Sequence, residues 1–142
     1  MPLATSAQTA PKWTIDTFKA FWAKPDPAYL PAVAGIVTDD LVGYWPRPIG
    51  TVRGRNPYMK VLADILAVCP DFSVAVAEYA ASGDFHFVRW IATGTGPDGP
   101  FEFTGTDRLR TRAGLVCENY IFCDDPFFER VATYGAKIAA CA

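Results

Sequence analysis

Histidine is nearly missing from this 142-residue chain, which has only His86. The four cysteines, Cys69, Cys117, Cys123 and Cys141, do not fall into metal-type pairs, and one histidine adds little to a zinc set. They are expected as thiols in a reducing compartment, where a buried cysteine acts as a small hydrophobe. Long apolar runs are also missing, and none approaches the roughly 18 residues of a membrane span. Nor is there a basic excess. Thirteen Lys and Arg stand against fifteen Asp and Glu, a net charge of −2, without the positive stripe of a nucleic-acid binder. The longest basic feature, Arg108-Leu109-Arg110-Thr111-Arg112, alternates like the solvent-facing edge of a strand. Residues 1–12 lack the charged-then-apolar order of a secretory signal. Neither nucleic acid nor membrane is expected as a partner, the expected location is cytoplasmic, and no metal or organic cofactor is expected. Chemistry in such a chain has to rest on carboxylates, arginine, tyrosine or backbone groups.

Hydrophobic residues make up 51% of the chain, enough at this length for one sizeable core. Thr14 is a good N-cap, followed by Ile15, Phe18 and Trp22 at helical spacing up to about Ala23. Lys24-Pro25-Asp26-Pro27 breaks that helix. Leu30, Val33, Ile36 and Val37 predict a second helix, ended by Asp39-Asp40. Leu41 to Trp45 reads as a short strand. Gly54 to Val68 reads as a helix with Tyr58, Val61, Leu62, Ile65 and Leu66 on one face and Pro57 in its first turn. Four β-like segments follow, at Phe72–Tyr79, Phe85–Thr95, Phe101–Thr111 and Leu115–Cys123, separated by glycine-bearing turns. Asp125-Pro126 opens a last helical stretch, capped by Asp124 or Asp125. Helices followed by an antiparallel meander make an α+β order.

Several strands are apolar on both alternating faces, as in Phe85-His86-Phe87-Val88-Arg89-Trp90-Ile91. A sheet wetted on one side alternates more cleanly, so both faces are expected to be covered, one by helices and the other by a second subunit. A homodimer through the sheet is the expectation.

The order of particular residues resembles the SnoaL-like group of the nuclear-transport-factor-2-like superfamily. An early helix pair ends in Asp39-Asp40, and Val52-Arg53-Gly54-Arg55 opens a helix. Val88-Arg89-Trp90 precedes Gly94-Thr95-Gly96. Phe103-Thr104-Gly105-Thr106-Asp107-Arg108-Leu109-Arg110 is followed by a turn at Gly114 and a strand ending at Asp124. The resemblance implies a cone: a curved antiparallel sheet wrapped on three helices, cystatin-like, with a deep apolar pocket. It divides the chain into an N-terminal extension over residues 1–13, the SnoaL-like domain over 14–125 and a C-terminal helical tail over 126–142.

The superfamily includes ketosteroid isomerases, polyketide cyclases, epoxide-hydrolase-like enzymes and non-catalytic binders, so residues must decide function. The isomerase base position falls on Trp45 and its helix-borne tyrosine near Phe18; its second acid matches Asp107. The cyclase aspartate position falls on Ile121. The epoxide-hydrolase arginine matches Arg89, but its two acids fall on Ile91 and, loosely, Asp124. Asp107 therefore stands out. It shares one strand face with Phe101, Phe103 and Gly105, where desolvation raises a carboxyl pKa into the range of proton transfer. Arg89, which interrupts an apolar strand, either pairs with Asp107 across the sheet or anchors substrate. His86 reads as a structural residue. Phe18, Phe21, Trp22, Tyr44, Trp45, Tyr58, Phe87 and Trp90, with Phe103, Ile121 and Asn119, are candidate walls for a flat ligand, Asn119 orienting a carbonyl.

The leading expectation is an isomerase-, lyase- or cyclase-type enzyme. It would act on a hydrophobic cyclic small molecule by cofactor-free proton transfer, with Asp107 and Arg89 as catalytic residues. The alternatives are a non-catalytic binding or carrier protein and an accessory dimerisation module.

Overall fold

A computed structural model describes residues 10–141. Its frame is a six-stranded sheet of order β2-β1-β6-β5-β4-β3, curved and unclosed, with helices packed on its inner face. Helix α1 (Ile15–Ala23) starts at a capping box, in which the Thr14 side chain accepts from the Thr17 backbone N–H while the Thr17 hydroxyl accepts from that of Thr14. A 3₁₀ turn over Pro27–Tyr29 leads into α2 (Leu30–Ala34).

Here the sequence expectation needs correction. Gly35 ends α2, and strand β1 (Val37–Tyr44) takes in Ile36's neighbour Val37 and both Asp39 and Asp40. The β-branched Val37 pairs in parallel with Val116, so sheet pairing overrides the helical spacing of Ile36 and Val37. A further strand, β2 (Thr51–Arg53), was not expected; it pairs antiparallel with β1 and delays the start of α3 to Arg55.

Helix α3 (Arg55–Val68) buries the expected five residues, Tyr58, Val61, Leu62, Ile65 and Leu66. Strands β3 (Ser73–Ser82), β4 (Phe85–Gly96), β5 (Gly99–Arg112) and β6 (Leu115–Phe122) form the meander, and α4 (Phe127–Cys141) closes the chain, with Asp125 Oδ1 accepting from the Phe127 N–H at 2.9 Å. Among the described residues the α-helices are the three expected against the sheet and the expected C-terminal one, α4, while the β1–β6 parallel pair makes the sheet mixed rather than wholly antiparallel.

The register fixes which side chains face inward. Val88 lies opposite Asp107, and Asp107 opposite Ile121, so Trp90, Phe103, Asp107, Leu109, Asn119 and Ile121 share the buried face. Of the N-terminal extension expected over 1–13, residues 1–9 lie outside the described residues. Trp13 itself is buried in the core, and its backbone N–H donates to the Gly114 carbonyl at 2.8 Å. Among the described residues no helix is long and apolar enough to cross a membrane.

Candidate active site

Asp107 lies at the centre of the inner face, 8% exposed. Its neighbour in the register across β4 is Val88, and two residues back along β5 is Gly105, which pairs with Trp90. A Cβ on Gly105 would lie 2.4 Å from the Trp90 ring, so only glycine lets the indole lie flat across β5. The indole Nε1–H thereby reaches Asp107 Oδ1 at 2.9 Å. Asn119 Nδ2 donates to Asp107 Oδ2 at 3.1 Å. Burial pushes the Asp107 carboxyl up to about 6, with the two N–H donors acting in the opposite direction.

The same Asn119 nitrogen donates to Tyr58 Oη at 2.9 Å. An amide has an acceptor end and a donor end, and only the donor end can face an ionised carboxylate, so Asp107 sets the amide's orientation. Tyr58 comes from α3, and its phenol is raised above its ordinary range, first by burial and then by the Asp107 charge. Gly43 of β1 pairs with Asn119. A Cβ there would meet the Tyr58 ring at 2.7 Å and Trp45 Nε1 at 2.8 Å. A second glycine thus makes room for two further aromatic side chains. Trp45 Nε1 and Asn119 Oδ1 are buried with no hydrogen-bond partner among the described residues.

These groups border a cavity of about 90 Å³, well below the roughly 300 Å³ at which drug-sized pockets begin. Its inner wall includes Asp107, Asn119, Ile121, Trp45, Tyr58, Leu62 and Trp90. Toward α1 and α2 it is bounded by Thr17, Phe21, Trp22, Val33 and Ile36, which are exposed or half-buried and form its open end. Asp107 is the one charged residue among the lining residues.

Of the expected site residues, Asp107, Phe18, Trp22, Trp45, Tyr58, Asn119 and Ile121 meet at this cavity. Four do not. Arg89 projects from the opposite face, because its register partner is Thr106, and it pairs there with Glu78 at 2.6 Å. It neither faces Asp107 nor borders the cavity. Phe87 lies on that same outer face, 45% exposed. Tyr44 is also outside, stacked on Tyr120 with centroids 4.9 Å apart. Phe103 is buried behind the lining, packed against Trp90, Phe72, Phe127 and Phe128, and does not itself border the cavity. His86 is held at the end of the sheet, its Nδ1 2.8 Å from the Tyr79 hydroxyl and its ring against Trp13.

Sequence reasoning missed Trp13, which lines the cavity and packs edge-on against Phe18 with centroids 6.3 Å apart. The signal was present: a large apolar residue just before the N-cap Thr14, paired with one four residues after it, is a hydrophobic staple. Trp90 was read only as a wall, whereas it is the donor to Asp107.

A family model described as the SnoaL-like domain matches residues 15–119. No curated protein matches the chain. Among solved structures, wild-type IdmH of Streptomyces antibioticus, a candidate polyketide cyclase, is 23% identical, with a TM-score of 0.69 over 83% of this chain and 97% of that one. A protein of Catenulispora acidiphila with a ketosteroid isomerase-like fold, in complex with trimethylamine, is 18% identical, with a TM-score of 0.67 over 78% of this chain and 84% of that one. TerC co-crystallised with polyporic acid is 18% identical, with a TM-score of 0.67 over 83% of this chain and 95% of that one. Identities this low establish a shared fold and nothing finer.

Proposed function

The chain belongs to the SnoaL-like family, and from that premise we propose that it binds a hydrophobic cyclic small molecule and catalyses proton transfer on it, with Asp107 as acid and base. The observation that carries this reading is the Asp107 carboxyl, buried, raised to about 6 and bordering a mostly apolar cavity with no other charged residue in its described lining. A carboxylate of that basicity, stripped of water, is suited to taking a proton from carbon next to a carbonyl. Each of its oxygens accepts one N–H and keeps a lone pair free. Tyr58 Oη accepts from Asn119, so its own proton is free to bond the oxygen on which charge develops. The proton would move from a substrate carbon to Asp107 and return at another carbon (isomerisation), at the oxygen of a carbonyl that the resulting carbanion has attacked (cyclisation), or at a hydroxyl that departs as water (dehydration); hydration is that last path in reverse, with water supplying the proton and the hydroxyl. Arg89, held by Glu78 on the other face, has no part in this chemistry. Relatives of the same fold with small organic ligands, polyporic acid in TerC and trimethylamine in the Catenulispora protein, support small-molecule binding.

One observation favours the non-catalytic alternative. Both Asp107 oxygens are already bonded within a closed network, as in a carboxyl kept for shape. Deuterium uptake into small enolisable cyclic ketones, followed by NMR in D₂O, separates the two. Loss of uptake by about 100-fold or more in Asp107→Asn supports catalysis. Ligand binding with no uptake in either protein makes this a carrier.

The reading includes a homodimer through the outer face of the sheet, where Phe87 and Phe122 are 45% and 53% exposed.

A further inference from the structure

The cavity is poor in polar groups, so the few it has restrict what can occupy it. Three hydrogen-bonding capacities remain unspent among the described residues: the Trp45 Nε1–H, the Asn119 Oδ1 and the Tyr58 hydroxyl proton. All three side chains are more than nine-tenths buried, with Trp45 8%, Tyr58 6% and Asn119 3% exposed. The three side chains are neighbours: Asn119 Nδ2 reaches Tyr58 Oη at 2.9 Å, and a Cβ on Gly43, the register partner of Asn119, would meet both the Tyr58 ring and Trp45 Nε1. A buried donor or acceptor left without a partner costs about 1–3 kcal/mol, so an occupant that satisfies these groups is strongly preferred over one that does not.

Taking the cavity as a ligand site, as proposed above, we infer that Trp45 and Asn119 form a donor–acceptor fork selecting a neutral, single-ring molecule that carries both a carbonyl oxygen and a hydroxyl group. The indole N–H of Trp45, with the Tyr58 hydroxyl beside it, supplies donors for the carbonyl; Asn119 Oδ1 accepts from the hydroxyl. Neutrality follows from the lining. No Lys, Arg or His borders the cavity among the described residues, and an anionic ligand would meet the Asp107 carboxylate with nothing to offset it. The single ring follows from the volume of about 90 Å³, with further substituents directed out between α1 and α2.

The test is titration of the full chain with five one-ring probes, followed by ¹⁵N–¹H spectra of the indole N–H groups, with Trp45→Phe assigning the Trp45 signal. The probes are ethylbenzene, acetophenone, 3-fluoroacetophenone, 3-hydroxyacetophenone and benzoate. Acetophenone should bind roughly three- to tenfold more tightly than ethylbenzene and move the Trp45 N–H signal downfield. 3-Hydroxyacetophenone should gain a similar factor again over 3-fluoroacetophenone, which matches it closely in size but cannot donate. Benzoate should not bind. Trp45→Phe should reduce the advantage of acetophenone over ethylbenzene to what the Tyr58 hydroxyl alone supplies; if that variant does not fold, the wild-type series and the indole shift decide alone. Ethylbenzene binding as tightly as 3-hydroxyacetophenone, a Trp45 signal indifferent to the carbonyl, or tight benzoate binding overturns the fork while leaving the cavity a ligand site. Failure of every neutral probe to bind overturns the ligand-site reading itself.

Discussion

Trp90 reaches Asp107 diagonally across two neighbouring strands, its indole N–H 2.9 Å from the carboxyl oxygen, over a glycine that could be no larger. Trp90 and Gly105 are register partners, and Asp107 is two residues farther along the same face. A buried carboxyl is thus held by an aromatic donor rather than by a cation, which leaves it basic instead of locking it as an ion pair.

The first prediction concerns pH. In the unfolded chain Asp107 titrates at the ordinary value of 3.8, and in the folded chain at about 6. The folded state therefore holds the proton longer, and this residue's contribution is fully present below about pH 4 and lost as pH rises through 6. The loss amounts to about 3 kcal/mol. Other carboxylates act in the opposite direction, so the measurement is a difference. Urea unfolding of wild type and Asp107→Asn at pH 4 and pH 7.5 should show the variant gaining on the wild type by about that amount. Parallel pH curves would place Asp107 outside the apolar surroundings described here. Turnover that uses Asp107 as base should rise with pH through about 6.

Gly105→Ala tests the glycine. Its Cβ would meet the Trp90 ring at 2.4 Å and the Phe122 carbonyl at 2.9 Å, so the indole must move. Destabilisation of about 1–3 kcal/mol is expected, with an upfield shift of the Trp90 indole N–H as its bond to Asp107 breaks. Wild-type stability with an unmoved Trp90 signal would contradict the close packing.

Tyr58→Phe removes the acceptor of one Asn119 N–H bond in a buried place. The expected cost is about 1–3 kcal/mol by denaturant midpoint. Under the proposed reaction it should also lower kcat by roughly 100-fold. A stability loss with unchanged kcat would make Tyr58 a packing residue.

The proposed dimer predicts a sedimentation mass near twice 15.5 kDa for the chain. Phe87→Glu with Phe122→Glu, both on exposed outer-face positions, should halve that mass while leaving the circular dichroism spectrum unchanged. A wild-type monomer at tens of micromolar would remove the dimer from the proposal.

Much of this arrangement was legible in the alternation of residues. The period of two put Asp107 on one face of its strand with Phe101 and Phe103, and Asn119 with Ile121 on one face of theirs; the register of β5 on β6 makes these the same face of the sheet. What the alternation lacks is register, which depends on pairings far apart in the chain. Arg89 and Asp107 both interrupt apolar strands, yet Arg89 lies opposite Thr106 and they face opposite sides of the sheet. Tyr58 and Asn119 are 61 residues apart and belong to different kinds of element, so their hydrogen bond has no local signature. The start of β1 was hidden for a similar reason. Val33, Ile36 and Val37 keep helical spacing, and only pairing with Val116 makes Val37 a strand residue.

Trp13 takes part in the cavity wall although it lies in neither a helix nor a strand, and it is tied there by one backbone hydrogen bond to Gly114 and by ring contacts with Phe18 and His86. The cavity therefore has one wall that can be rebuilt independently of the sheet. Replacing Trp13 with a smaller apolar residue would lengthen the chamber without disturbing Asp107 or its donors. Under the proposed function, position 13 is where a change of ligand size is accommodated first, and in the laboratory it is the natural place to begin redesigning selectivity.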